Sequence, residues 1–164
     1  MSEGRGRSDG WRDVVASALA WEQAHVSFDR AVAGVPEELR GRRPQAYPHS
    51  LWELVEHIRL AQADIVAFME DPAYAEPEWP DGYWPESPEP ASSGAWDESV
   101  AAVRRDRERL RDIAMRAEPD LMAEIPGGGG RTYLRTILVI VDHTAYHVGQ
   151  LVAVRRLLRA WHPE

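Results

Sequence analysis

A helix that is apolar nearly all round cannot stand alone in water, and the C-terminal part of this chain reads as one. After PGGGGRT, Thr132 is placed to cap a helix running to about Trp161, and its stretch LRTILVIV has almost no polar side. Such a helix is expected to lie deepest in the fold, with other amphipathic segments packed around it.

Three earlier segments have the required pattern. From Trp11 to Ala33, the residues Val14, Ala18, Trp21, His25, Phe28 and Val32 recur at spacings of four and three, with polar Arg12, Glu22 and Asp29 between them. The second segment opens on SLWE, a capping box in which Ser50 caps the helix and Glu53 reaches back. Leu54, His57, Ala61, Ile65 and Phe68 then follow along one side as far as Glu70, before Pro72. In the third, from Trp96 to Ala117, Val100, Val103, Leu110 and Ile113 stand among charges. Asp97 and Glu98 suit its N-terminal end, and Pro119 marks its stop. No period-two run is long enough for a strand. An all-α, antiparallel four-helix bundle is the simplest architecture, with residues 1–164 as one domain and 1–9 as a flexible tail.

Composition narrows the chemistry. A chain of 164 residues can bury a core without staples, and the absence of cysteine excludes disulfides, thiolate metal sites and cysteine nucleophiles. All 19 basic residues are arginine, yet the net charge is −8, which argues against a nucleic-acid partner. The N-terminal MSEGRGRSDG has no apolar h-region, and the run ILVIV is too short to cross a bilayer. A cytoplasmic protein without a membrane partner is the expectation.

Two connections stand out. Residues 70–94, between helices 2 and 3, hold six of the 12 prolines, seven acidic residues, no basic residue, and Tyr74, Trp79, Tyr83 and Trp84. A purely solvated linker has no use for two tryptophans, so part of it is expected to fold back over the bundle, either covering exposed core or closing a pocket. The tetraglycine at 127–130 lacks a GK[ST] ending and a preceding strand, and reads as a flexible connector and not as a phosphate loop.

The chemistry concentrates in DHTAYHVGQL, where His143 and His147 lie four residues apart in an apolar helix. That spacing sets two imidazoles on one face, with Cβ atoms about 5–6 Å apart, close enough to converge on one ion at about 2.0–2.1 Å. A third ligand must come from another helix, and His57 sits on an inward stripe between Leu54 and Ala61. A metal would satisfy one nitrogen of each and leave an open position for water or substrate. Such a pair can equally be two hydrogen-bonded core histidines, and spacing does not separate the two cases. His25 is open to roles as fourth ligand, acid–base group or core histidine, with a place in the pocket or the core favoured. His49 and His162 are expected to be exposed. Asp64 and Asp142 are read either as carboxylates behind the ligands or as solvated groups. Because the pair is H-T-A-Y-H, the general base of H-E-x-x-H proteases is missing.

Together, HSLWELVEHI at 49–58 and DHTAYHVGQL at 142–151 resemble the DinB-like (YfiT-like) metalloenzyme superfamily, and AHVSFDRAV, EPEWPDGYWP and GQLVAVRRLL extend the likeness over nearly the whole chain. The resemblance implies a four-helix bundle of up-down-down-up type, commonly a homodimer. It also implies a divalent metal, nickel, zinc, manganese or iron, on His57, His143 and His147. Some relatives are thiol S-transferases or thiol-dependent isomerases, which implies a low-molecular-weight thiol cosubstrate activated on the metal. A metal-dependent hydrolase, with His25 or a carboxylate moving protons, is the alternative. A non-catalytic metal- or small-molecule-binding stress-response protein is the other.

Overall fold

The computed structural model describes residues 10–20, 24–45 and 47–161, and these form an all-helical structure with no strand. The helices are α1 (Gly10–Ala18), α2 (Phe28–Val32), α3 (Glu37–Arg40), α4 (Leu51–Glu70), α5 (Ala95–Met115) and α6 (Tyr133–Leu157), with a 3-10 turn at Asp81–Tyr83. The expected tail at 1–9, Trp21 and Glu22 of the first seam, and His162 lie outside the described residues.

The second segment folds as its sequence dictates. Ser50 Oγ accepts from the Glu53 N–H at 3.1 Å and a Glu53 carboxylate oxygen accepts from the Ser50 N–H at 2.8 Å, so both orphan donors are met and α4 starts at Leu51. Every residue from Leu51 to Ile58 is buried, because α4 packs along both α5 and α6. Helix α1 rests on α5, and α2 rests on α6. The four predicted apolar positions of α5 are all buried.

The first segment is corrected: it is two helices and not one. Ser27 Oγ accepts from the Arg30 N–H at 3.2 Å and so starts α2 afresh, nine residues after α1 ends. The seam also rotates. Val14 is 68% exposed while Val15, Ala16 and Leu19 are buried. A regular four-and-three spacing was met by two short helices on different partners, which periodicity along one axis cannot reveal.

A second correction concerns α6, which is not the deepest element. Leu138, Val139, Tyr146 and Leu157 lie on its open side, each about half exposed or more, and α4 holds the centre instead. Apolar composition states what a helix tolerates, whereas burial depends on what covers it. The segment after Glu70 folds back over α4: the Tyr74 and Tyr83 hydroxyls donate to Asp64 at 2.7 and 3.0 Å, and Ser50 Oγ donates to the Pro88 carbonyl at 2.7 Å. Although ILVIV is short, α6 as a whole is long and apolar enough to span a membrane by length and composition; its inner side is packed and carries the buried polar residues Thr136, Thr144, His147 and Arg155. It stops at Leu157 and not at Trp161, with Arg159 in the left-handed region at φ 57°. The tetraglycine forms a hydrogen-bonded turn in which the Ile125 N–H reaches the Arg131 carbonyl at 2.9 Å. A side chain at Gly128 would meet the Ile125 carbonyl oxygen at 2.8 Å.

The core divides into two apolar clusters. One takes Leu51–Ile58 residues of α4 and Val148–Val154 residues of α6; the other takes Ala61–Met69 residues of α4 and Tyr133–Ile140 residues of α6. His57, His143 and His147 fall at the junction between them.

Candidate metal centre

Helix α4 supplies His57 and α6 supplies His143 and His147, one turn apart, so local helix geometry and one helix-helix contact assemble the group. One ligand-capable atom from each lies within 4.8 Å of the others. His57 Nε2 and His143 Nε2 are 3.0 Å apart, and the ring centroids of the three pairs are separated by 4.4–4.8 Å.

The opposite nitrogens explain why the Nε2 atoms turn inward. His57 Nδ1 lies 2.7 Å from the Tyr83 carbonyl, and His147 Nδ1 lies 2.7 Å from Gln150 Oε1. A carbonyl oxygen only accepts, so each Nδ1 carries the hydrogen and each Nε2 keeps its lone pair. Two imidazole nitrogens at 3.0 Å need a proton or a cation between them. His143 Nδ1 is buried with no hydrogen-bond partner among the described residues, so no acceptor among them ties that ring to another tautomer.

The electrostatics act in the same direction. Burial pushes His143 down to about 3, helped by His147 and His57 beside it. Burial also takes His147 down to about 4, with His57 adding to the effect and the Gln150 bond opposing it. His57 is lowered by burial, partly offset by the Tyr83 carbonyl. All three are therefore neutral at pH 7, the form that ligates. Three neutral, inward-facing imidazole nitrogens, two of them on rings whose far nitrogen is hydrogen-bonded, suit a divalent ion of borderline softness, and the residues present fit such a group.

Aromatic rings enclose one side. The Trp84 indole stacks on His57 with centroids 4.0 Å apart and planes 6° from parallel, and His49 also stacks on the indole, at 4.3 Å and 14°. Tyr146 meets His147 edge-on at 5.0 Å. His49, expected to be exposed, is half-buried by this stack.

The remaining sequence candidates lie elsewhere. His25 is exposed between α1 and α2, its Nδ1 2.8 Å from the Val26 carbonyl, and it is not in the three-histidine group. The core position expected for it is corrected, because the seam that placed it there is interrupted. Asp142 is exposed, and Asp64 binds two tyrosine hydroxyls and, among the described residues, no histidine. Three contributors went unread: the Tyr83 carbonyl, the Trp84 ring and Gln150. Gln150 had a local signal, standing three residues after His147 on one helix. Trp84 had only the aromatic richness of its segment.

Fold and site together define an all-helical protein with a three-histidine group of metal-ligand geometry. The chain matches the model of the DinB superfamily over residues 20–151, and it belongs to that superfamily. Comparison with curated proteins and with solved structures gives no match. Superfamily membership and the histidine group both fit metal binding.

Proposed function

We propose that this protein is a metal-dependent enzyme of the thiol S-transferase type, in which a divalent metal held by His57, His143 and His147 activates a low-molecular-weight thiol for attack on a small electrophilic substrate. The observation that carries the reading is the inward convergence of three neutral imidazoles, which supplies three ligands and leaves coordination positions for an outside group. When bound, the ion supplies Lewis acidity that lowers the pKa of a ligated thiol or water. The chain's own part is to hold and orient. Tyr83 and Gln150 fix the ligand tautomers, and Trp84 covers a face of His57.

A chain without cysteine fits a nucleophile brought by a cosubstrate. The hydrolase reading has weaker support. The ligand group contains no carboxylate, and Glu56, next to His57, is committed to Arg59 and Ser99. The reading includes a cytoplasmic homodimer of four-helix, up-down-down-up type, with the α1–α2 segment counted as the interrupted first helix. The open apolar side of α6 supports the dimer, and light scattering tests it.

Elemental analysis of untagged protein, with His57→Ala and His147→Ala beside it, tests the site. Near-stoichiometric metal in the wild type and its loss in both variants is expected, followed by metal-dependent consumption of a thiol and a model electrophile. Metal with no thiol consumption would remove the transferase reading. No metal would remove the enzyme reading altogether.

A further inference from the structure

We infer that Trp84 is a positioning residue of the metal centre: with the backbone of its neighbour Tyr83, it sets the plane and direction in which His57 presents Nε2. The inference rests on the metal-site reading and extends it to the segment after Glu70. An imidazole has a broad torsion about its Cβ–Cγ bond, so a helix that places His57 correctly still leaves its ring plane undefined. Two contacts remove that freedom. The Tyr83 carbonyl, 2.7 Å from Nδ1, fixes one point of the ring, and the indole, 4.0 Å away and 6° from parallel, fixes its plane.

Both constraints come from one dipeptide, and that dipeptide is itself held. His49 stacks on the indole at 4.3 Å. The Tyr83 hydroxyl donates to Asp64 at 3.0 Å, and Tyr74 donates to the same carboxylate at 2.7 Å. Asp64 follows His57 by seven residues on α4, two turns along the same face, so the helix that carries the ligand also carries the anchor of its support. The segment covers core, since Tyr83 is buried in one apolar cluster and Trp84 packs against both, and the same two residues touch His57.

Two variants separate positioning from packing. Trp84→Phe keeps a flat face, whereas Trp84→Leu keeps apolar bulk without one. Co²⁺ affinity, measured by competition with a chromophoric chelator, and the Co²⁺ ligand-field spectrum are read beside the melting temperature of the metal-free protein. Trp84→Phe is expected to stay close to the wild type. Trp84→Leu should bind Co²⁺ about tenfold more weakly with an altered spectrum, as for other losses of ligand support. Asp64→Asn should weaken binding less. A Trp84→Leu protein that melts lower without metal but binds Co²⁺ with wild-type affinity and spectrum would overturn the inference and leave the metal site standing. A wild type that binds no Co²⁺ would overturn both.

Discussion

At the scale of single residues, the histidine group was legible because its information is local or nearly so. His143 and His147 need only helical spacing, and His57 needs only a place on an inward stripe. What supports them was less legible, for a physical reason that differs case by case. Tyr83 touches His57 across 26 positions of sequence through a backbone carbonyl, which has no residue-type signature. Gln150 is local and offers a clean test. Its Oε1 lies 2.7 Å from His147 Nδ1, so Gln150→Leu removes the acceptor while keeping helix propensity and bulk. The expected result is metal binding weakened by about tenfold with little change in the melting temperature of the metal-free protein, and Gln150→Glu, which restores an acceptor, should recover most of it. Equal affinity in the leucine variant would mean that the His147 ring is held by packing alone.

At the scale of elements, α4 followed from its capping box and periodicity and α5 from periodicity and its acidic first turn, whereas the N-terminal segment and the depth of α6 did not. The short α2 shows why. Five residues cannot sustain a helix by their own hydrogen bonds, so its end must be held by something distant. Arg155 does this. Its side chain is buried with no carboxylate partner among the described residues, and its guanidinium donates to the carbonyls of Ala31 and Ala33 at 2.9 Å each, and to Ala160 at 2.9 and 3.0 Å. The charge is met by carbonyl dipoles at the C-terminal end of α2. Such a pairing across more than 120 positions cannot be read from a pattern. Arg155→Met should leave these carbonyls buried without donors and cost about 3 kcal/mol in denaturant unfolding, with metal stoichiometry unchanged in the folded protein. Arg155→Lys should recover only part, since an ammonium cannot span the fan of acceptors. A methionine variant as stable as the wild type would show that α2 is held by its apolar contacts instead.

At the scale of the whole molecule, three imidazoles neutral at the junction of two apolar clusters make stability depend on pH. Free histidine titrates near 6.5, while the folded protein holds His147 at about 4 and His143 at about 3, and lowers His57 and His49 as well, all with burial as the leading cause. As pH falls through 6.5 the unfolded chain takes up protons that the folded chain refuses. Stability is therefore full above 6.5 and declines on the way down to the folded values. Carboxylates add their own loss only at lower pH. Burial of Asp29, Glu53 and Glu70 is outweighed by arginine hydrogen bonds that hold them below the ordinary carboxylate values of 3.8 and 4.5. The interval from pH 6.5 to 5 therefore isolates the histidines. Melting temperatures of metal-free protein should fall steadily across it, and a His143→Ala, His147→Ala double variant should show a shallower slope. Saturating Zn²⁺ should raise the melting temperature of the wild type most at pH 7.5 and progressively less toward pH 5, because the ion and the protons compete for the same three nitrogens. Equal slopes in wild type and double variant would mean that these imidazoles are hydrated and titrate normally, and the case for a metal-ready, neutral triad would fall with them.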